Sequence, residues 1–159
     1  MRPLLILPAL FLTLLAACND DYSSYPPTFS DMMFQDSTGR VIDTVAMGQP
    51  FTATMSMGTA QQNVYIQIAE WKAPEGIKYE AGSLIDRNLP TARFTVADSI
   101  AEGPRDIKLE LTYGVSGNET RQMADYTTPT GLDVKYTQPW AGTVGHYILT
   151  CTKKIHVRR

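Results

Sequence analysis

The chain has 159 residues, 43% of them hydrophobic, with 14 Lys and Arg against 16 Asp and Glu and a formal net charge of −2. Nucleic acid and anionic lipid require a basic face, so a nearly balanced charge argues against both as electrostatic partners. The short basic clusters Lys153-Lys154 and Arg158-Arg159 are expected to be solvated charge at the end of a strand. The length suits one domain that buries about 70% of its unfolded surface.

The N-terminus has the pattern of an export signal. Arg2 supplies one positive charge, residues 4–15 are almost wholly apolar, and small residues follow. A membrane-spanning helix needs about 20 apolar residues, and this run is shorter and is soon followed by the acidic segment 19–21. The sequence therefore predicts a removable signal peptide over residues 1–17 rather than a membrane span.

The segment Leu15-Ala16-Ala17-Cys18 resembles the lipobox of bacterial lipoproteins. Small residues before the cut fit the signal peptidase, and the cysteine sulfur is the nucleophile that takes the lipid. The resemblance implies that Cys18 is lipidated and begins the mature chain, anchored in a membrane by acyl chains worth about 0.8 kcal/mol per buried methylene. The alternative is an ordinary secretory signal with an incidental cysteine.

The residues after Cys18 bear on where the anchor is carried. Asp20 and Asp21 resemble the surface-export signal of Bacteroidota-type lipoproteins, which implies the outer membrane and exposure at the cell surface. The alternative is the periplasmic face, with the aspartates serving only as solvated charge. Ser and Pro residues follow, so we expect a flexible tether over residues 18–27 and a domain over residues 28–159.

From Thr28 onward, apolar residues recur at every second position, with Gly, Asn and Pro between the runs. This alternation is typical of antiparallel strands with one face inward. The inward positions expected are Phe51, Ala53, Met55 and Met57, then Val64, Ile66 and Ile68, then Ile107, Leu109, Leu111 and Tyr113. Further strands are expected at Thr91–Val96, 132–136 and 147–157, and one helical turn at most at 98–102. Several short strands of this kind predict an all-β fold, an antiparallel β-sandwich in a single domain.

Trp71, at the end of a predicted strand, and the motif Gly145-x-Tyr147 before Cys151 resemble features of immunoglobulin-like domains. In those domains a tryptophan packs against the core and a Gly-x-Tyr marks a tyrosine corner. The resemblance implies an immunoglobulin-like sandwich. Because lipidation consumes Cys18, Cys151 has no disulfide partner, and we expect it to be a small buried hydrophobe.

Catalytic and metal chemistry has little support in the sequence. The patterns Gly-x-Ser-x-Gly, Cys-x-x-Cys and His-x-x-x-His do not occur. His146 and His156 lie on one predicted strand, about 33 Å apart if it is straight, so they cannot share a metal ion. The acidic residues are spread through turns and outward positions, which is typical of solvated charge. We therefore predict a protein that is not an enzyme and that uses no metal or cofactor.

Aromatic residues in or beside the long loops are the candidates for a binding surface. These are Trp71, Tyr79, Tyr126 and Trp140, and the stretch 126–140 is the longest expected irregular segment. Exposed aromatic rings stack on sugars and form hot spots in protein interfaces. The alternative is that these rings pack into the edge of the sandwich, since tryptophan is mostly buried.

Two functions follow from these patterns. The first is a lipid-anchored, non-catalytic interaction module at the cell surface or in the periplasm, with a protein partner. The second is a glycan-binding accessory lipoprotein of a nutrient-capture system. A flat and exposed aromatic platform would favour the glycan, and buried rings would favour the protein partner.

Overall fold

A computed structural model describes residues 22–83, 90–138 and 145–159. In these ranges the chain forms strands and turns without a helix, and residues 98–102 form a turn region. The strands are β1 (Ser23–Ser24), β2 (Thr28–Gln35), β3 (Val41–Ile42), β4 (Thr44–Ala46), β5 (Pro50–Thr59), β6 (Val64–Lys72), β7 (Ile77–Ser83), β8 (Thr91–Val96), β9 (Gly103–Val115), β10 (Glu119–Thr120), β11 (Tyr126–Thr127), β12 (Asp133–Thr137) and β13 (His146–Arg158).

The larger strands form two open sheets that face each other across one core. One sheet has the order β11-β12-β13-β9-β6, with β4 pairing parallel to the end of β13. The other has the order β3-β2-β5-β8-β7, and its neighbouring strands are antiparallel. The predicted all-β antiparallel sandwich is confirmed. Its immunoglobulin-like character stays a prediction.

The core lies between the sheets, where the alternation places it. In β5 the side chains of Phe51, Ala53 and Met55 are at most 1% exposed, and every second residue of β9 from Ile107 to Tyr113 is fully buried. Phe51 stacks on Phe94 with ring centroids 5.3 Å apart. Burying such a side chain contributes about 1.5–3 kcal/mol, so these strands supply much of the free energy of folding.

Strand β6 departs from strict alternation. Ile66 pairs with Tyr113 of β9, and Ile68 pairs with the residue that precedes Tyr113, so Gln67 is an extra residue in a β-bulge. The bulge reverses the inward and outward faces. Ile68 is therefore 59% exposed while Ala69 packs against the core. The prediction that Ile68 faces inward is wrong for this reason.

The folded domain begins before the expected boundary. Residues 23–24 form β1, which pairs parallel with β10, and Pro26 and Pro27 are buried. Residues 22–27 therefore belong to the folded domain and not to the flexible tether expected over 18–27. The signal peptide, Cys18 and residues 19–21 lie outside the described ranges.

Candidate functional site

Ser24 is the centre of a set of contacts that fix the N-terminal end of the domain. It is fully buried, and its backbone carbonyl accepts hydrogen bonds from the Tyr147 hydroxyl at 2.7 Å and from the Arg121 N–H at 2.9 Å. Its side-chain Oγ accepts the Gly117 N–H at 3.0 Å. Two segments distant in sequence, residues 117–121 and the start of β13, thus hold one residue. We call residues 22–27 the docked segment.

The residues on either side of Ser24 are held as well. Tyr25 and Gln62 exchange backbone hydrogen bonds of 3.1 and 3.0 Å, and the Tyr25 hydroxyl donates to Gln62 Oε1 at 2.8 Å. The Asn118 N–H donates to the Tyr22 carbonyl at 3.2 Å. The Arg121 guanidinium lies 5.0 Å from the centre of the Tyr25 ring. The docked segment is therefore anchored on both sides of Ser24.

Two residues of the surrounding strands and loops make this docking possible. A Cβ at Gly117 would lie 2.1 Å from the Tyr22 carbonyl oxygen and 2.2 Å from Ser24 Oγ, so only glycine leaves room for the segment. The hydroxyl of Tyr147 is protonated at neutral pH and can donate, and burial raises its pKa further above the ordinary value.

Tyr147 was expected to mark a tyrosine corner, in which the hydroxyl bonds to backbone a few residues upstream. Its acceptors are instead the carbonyls of Ser24 and Arg121, 123 and 26 residues upstream. The residue therefore closes the sandwich over the docked segment. The Gly-x-Tyr pattern pointed to a buried, hydrogen-bonded tyrosine but not to its partner.

Trp71 and Tyr79, two of the predicted binding residues, converge on Phe94 in the core. Their ring centroids lie 5.9 and 5.8 Å from that of Phe94, at interplanar angles of 75° and 64°. Trp71 is half-buried, whereas Tyr79 is 44% exposed. Both rings stand edge-on to Phe94 and do not form a flat platform with it. Trp140 lies outside the described residues.

Tyr126 joins the two sheets. Its hydroxyl accepts the Phe29 N–H at 2.7 Å and donates to the Phe29 carbonyl at 2.9 Å, where a register irregularity interrupts the pairing of β2 with β5. The neighbouring Tyr136 ring is 6.3 Å away. Tyr126 is thus a half-buried structural contact rather than an exposed ring. The stretch expected to be irregular, 126–140, contains β11 and β12.

Three exposed apolar side chains lie on strands at which a sheet ends. Tyr65 and Ile68 of β6 are 51% and 59% exposed, and Tyr79 lies on β7. Strands β6 and β7 are each the last strand of their sheet, and they are consecutive in the chain. We call the surface of Tyr65, Ile68 and Tyr79 the β6–β7 side. The alternation alone missed Ile68, because the bulge at Gln67 turns it outward.

An ion pair between the sheets was not anticipated from the sequence. Lys153 Nζ lies 2.5 Å from Asp31 Oδ1, with side chains only 17% and 21% exposed. The Thr130 hydroxyl donates to the same oxygen at 2.9 Å. The expectation that Lys153 is solvated is therefore wrong. It shares the inward face of β13 with Cys151 and Ile155, which the alternation could have revealed.

The cysteine and the two histidines of the described residues lie on β13, apart from one another. Cys151 is fully buried, and burial raises the pKa of its thiol to about 12, so it is protonated at neutral pH. His146 and His156 are exposed near opposite ends of β13. Within the described ranges, no group of three His, Cys, Asp or Glu is placed to hold a metal ion.

The outer face of the six-stranded sheet has an open depression of about 490 Å³, lined by alternating charges. Lys154 pairs with Asp106 at 3.2 Å, and Lys135 with Asp133 at 4.0 Å. These side chains are 44–66% exposed. Such exposed pairs are worth little energy and are typical of a solvated sheet face.

Comparison of the chain with protein-family models, with curated proteins and with solved structures finds no match. No helix in the described part of the chain is long and apolar enough to cross a membrane.

Proposed function

We propose that this chain is a lipid-anchored, non-catalytic interaction module that binds a protein partner. In this proposal residues 1–17 are removed, Cys18 is acylated, and the outer membrane carries the domain at the cell surface. The lipobox residues support the anchor. The docked segment also supports the anchor, because the folded domain begins at Tyr22, only four residues after the proposed lipidation site at Cys18.

The observation that carries the binding role is the β6–β7 side. Among the described residues five large apolar side chains are exposed, and three of them lie there. Isolated exposed apolar residues need no explanation, whereas Tyr65 and Ile68 share the outward face of one edge strand, which favours an interaction site. Because β6 is the last strand of its sheet, its outer edge can pair with an added strand. The partner we propose is an extended protein segment that adds along residues 68–72, beyond the bulge.

The chemistry of the described residues supports binding over catalysis. The Cys151 thiol is buried and protonated, so it is poorly suited to act as a nucleophile. His146 and His156 are each exposed near an end of β13, away from Cys151, so neither is placed to activate that thiol as a nucleophile.

The glycan-binding alternative has weaker support. Stacking on a sugar requires an open aromatic face, whereas Trp71 is half-buried and both Trp71 and Tyr79 pack against the core residue Phe94. Iodide quenching of tryptophan fluorescence during a titration with polysaccharides separates the two proposals. Protection of an exposed tryptophan by a glycan would favour the alternative over a protein partner.

Photo-crosslinking in the producing bacterium tests the protein partner. The photoreactive amino acid replaces Ile68 in the full chain and, as a control, Val41, which is 61% exposed on β3 at the opposite edge of the other sheet. We expect a defined protein adduct from position 68 and none from position 41. The same adduct formed from Tyr65 should disappear in Ile68→Lys. Equal labelling from positions 41 and 68, or no adduct at 68, would contradict the proposal.

A further inference from the structure

We infer that the end of the sandwich where the chain enters lies against the lipid headgroups, so that the domain stands upright on the membrane. This inference rests on the proposed lipidation of Cys18. We call the region of Tyr22 and loops 59–63 and 116–118 the anchor end. The far end carries the loops 36–40 and 97–102.

The short length of chain between Cys18 and Tyr22 is the first support for this orientation. Four Cα–Cα steps separate Cys18 from Tyr22, and an extended chain covers about 14 Å in that distance. Strand β13, His146–Arg158, runs from the anchor end to the far end and spans about 40 Å. While the segment is docked, the acylated cysteine stays close to the anchor end and cannot approach the far end.

The hydrogen bonds of the docked segment keep the distance between Cys18 and the folded domain short. Ser24 is fully buried, and its carbonyl and hydroxyl oxygens are both bonded to the rest of the fold. If the segment detached as far as Thr28, ten Cα–Cα steps would separate that residue from Cys18 and allow about 35 Å. Docking thus converts a long flexible tether into a short one with a fixed exit point.

The distribution of charge supports the same orientation. Loops 59–63 and 116–118 contain no charged residue, whereas loop 36–40 has both an acid and an arginine and loop 97–102 has two acids. Tyr22 at the anchor end is 55% exposed. Uncharged polar groups and tyrosine suit the headgroup layer, while charges lose solvation there. With the anchor end down, the charged loops remain in water.

Anionic lipid has no part in this orientation. Among the described residues, the charges that follow loop 116–118 in the chain are Glu119 and Arg121, of opposite sign, and the tether before Tyr22 contains only the acids Asp20 and Asp21. A surface attraction to anionic headgroups needs a cluster of basic residues. The orientation should therefore be the same in neutral and anionic vesicles and should not change with salt.

Quenching by a labelled headgroup measures the orientation directly. The full-length chain, acylated in a bacterial host, is reconstituted into phosphatidylcholine vesicles with a nitroxide on the headgroup. A single fluorophore is placed on Ala60→Cys at the anchor end, on Ser37→Cys at the far end, or on Lys135→Cys on the sheet face, since Cys151 is buried. We expect several-fold stronger quenching at position 60 than at 37, with 135 between them. Equal quenching at 60 and 37, or strongest quenching at 135, would overturn the inference.

Matched variants test whether the short tether is the cause. Inserting about 15 Gly and Ser residues between Asp21 and Tyr22, with a root-mean-square length of roughly 20 Å, should remove the difference between the labels. Gly117→Ala should reduce it by displacing the docked segment, whereas Ser116→Ala should not, because Ser116 is exposed and bonds there through its backbone. A difference unchanged by both the insertion and Gly117→Ala would also overturn the inference.

Mass spectrometry of the same preparation separates this inference from the proposed function. If Cys18 carries acyl chains but the labels are quenched equally, the orientation is wrong and the lipid anchor stands. If Cys18 is unmodified, the lipid anchor and the orientation are both refuted.

Discussion

Lys153 crosses between the sheets to Asp31, while its neighbour Lys154 points outward to Asp106. The first pair has an N–O distance of 2.5 Å and a lysine side chain 17% exposed, and the second has 3.2 Å and 66%. Adjacent residues of a strand face opposite sides of a sheet, so the two lysines form a natural comparison. One contributes to the packing of the sheets and the other lies in solvent.

Replacing Lys153 by Met should lower the free energy of unfolding by about 1–3 kcal/mol, because Asp31 is left largely buried without its cation. Lys154→Met, the matched control, should change it by less than about 0.5 kcal/mol. Urea denaturation of both variants measures the two values. Equal effects would show that the inward pair contributes no more than an exposed one.

Tyr147→Phe should loosen the docked segment. The variant removes the hydroxyl that bonds to the carbonyls of Ser24 and Arg121, which should cost about 1–2 kcal/mol. Tyr113 pairs directly with Tyr147 across the strands, and its buried hydroxyl has no hydrogen-bond partner among the described residues. Tyr113→Phe should therefore be neutral or stabilising.

Hydrogen exchange locates the effect of Tyr147→Phe. Amides in the docked segment should exchange faster in that variant by local opening, while those of β5 should speed up by no more than the loss of global stability allows. Faster exchange in Tyr113→Phe, or unchanged exchange in Tyr147→Phe, would contradict the role given to the Tyr147 hydroxyl.

Stability should fall with pH because of Cys151. Burial raises the pKa of its thiol from 9.0 to about 12, so between these values the unfolded chain releases a proton that the native state keeps. The contribution of the protonated thiol is complete below pH 9 and is lost as the pH rises. By pH 10 the loss should be about 1 kcal/mol. Cys151→Ala should lack this part of the slope when both proteins are unfolded in urea at pH 8 and pH 10. Identical slopes would contradict the burial of the thiol.

Deletion variants test the bulge in β6. Without Gln67 the remaining residues alternate regularly, with Ile66 and Ala69 inward and Ile68 outward. Deleting Gln67 should therefore cost less than about 1 kcal/mol. Deleting Glu70 should cost more than about 3 kcal/mol, since it turns Trp71 away from Phe94. Thermal unfolding compares them, and a large loss in the Gln67 deletion would count against the bulge.

The alternation of apolar residues predicted most of the sandwich because it reports burial on one face of a strand. It placed Phe51, Leu109 and Leu149 correctly in the core. It was wrong at Ile68 because the extra residue Gln67 reverses the inward and outward faces of β6, and the local sequence does not reveal such a bulge. The same alternation in β13 places Lys153 on the inward face, but we expected a solvated side chain because lysine is charged.

The docked segment was not predictable from its own composition. Serines and prolines are typical of a spacer, and the partners that order residues 22–27 lie about 40 to 120 positions away in the chain. Ser24 is buried only because Gly117 leaves space for it and Tyr147 bonds to it. The same applies to Tyr126, whose role depends on an irregularity in β2.

The lipid on Cys18 is the central claim, and intact-protein mass spectrometry of membrane-extracted full chain tests it most directly. We predict a mature chain that begins at Cys18 with the added mass of its acyl chains, and a Cys18→Ala variant that is neither cleaved at that site nor acylated. A wild-type protein that keeps residues 1–17, or that begins elsewhere without added lipid mass, would contradict the account.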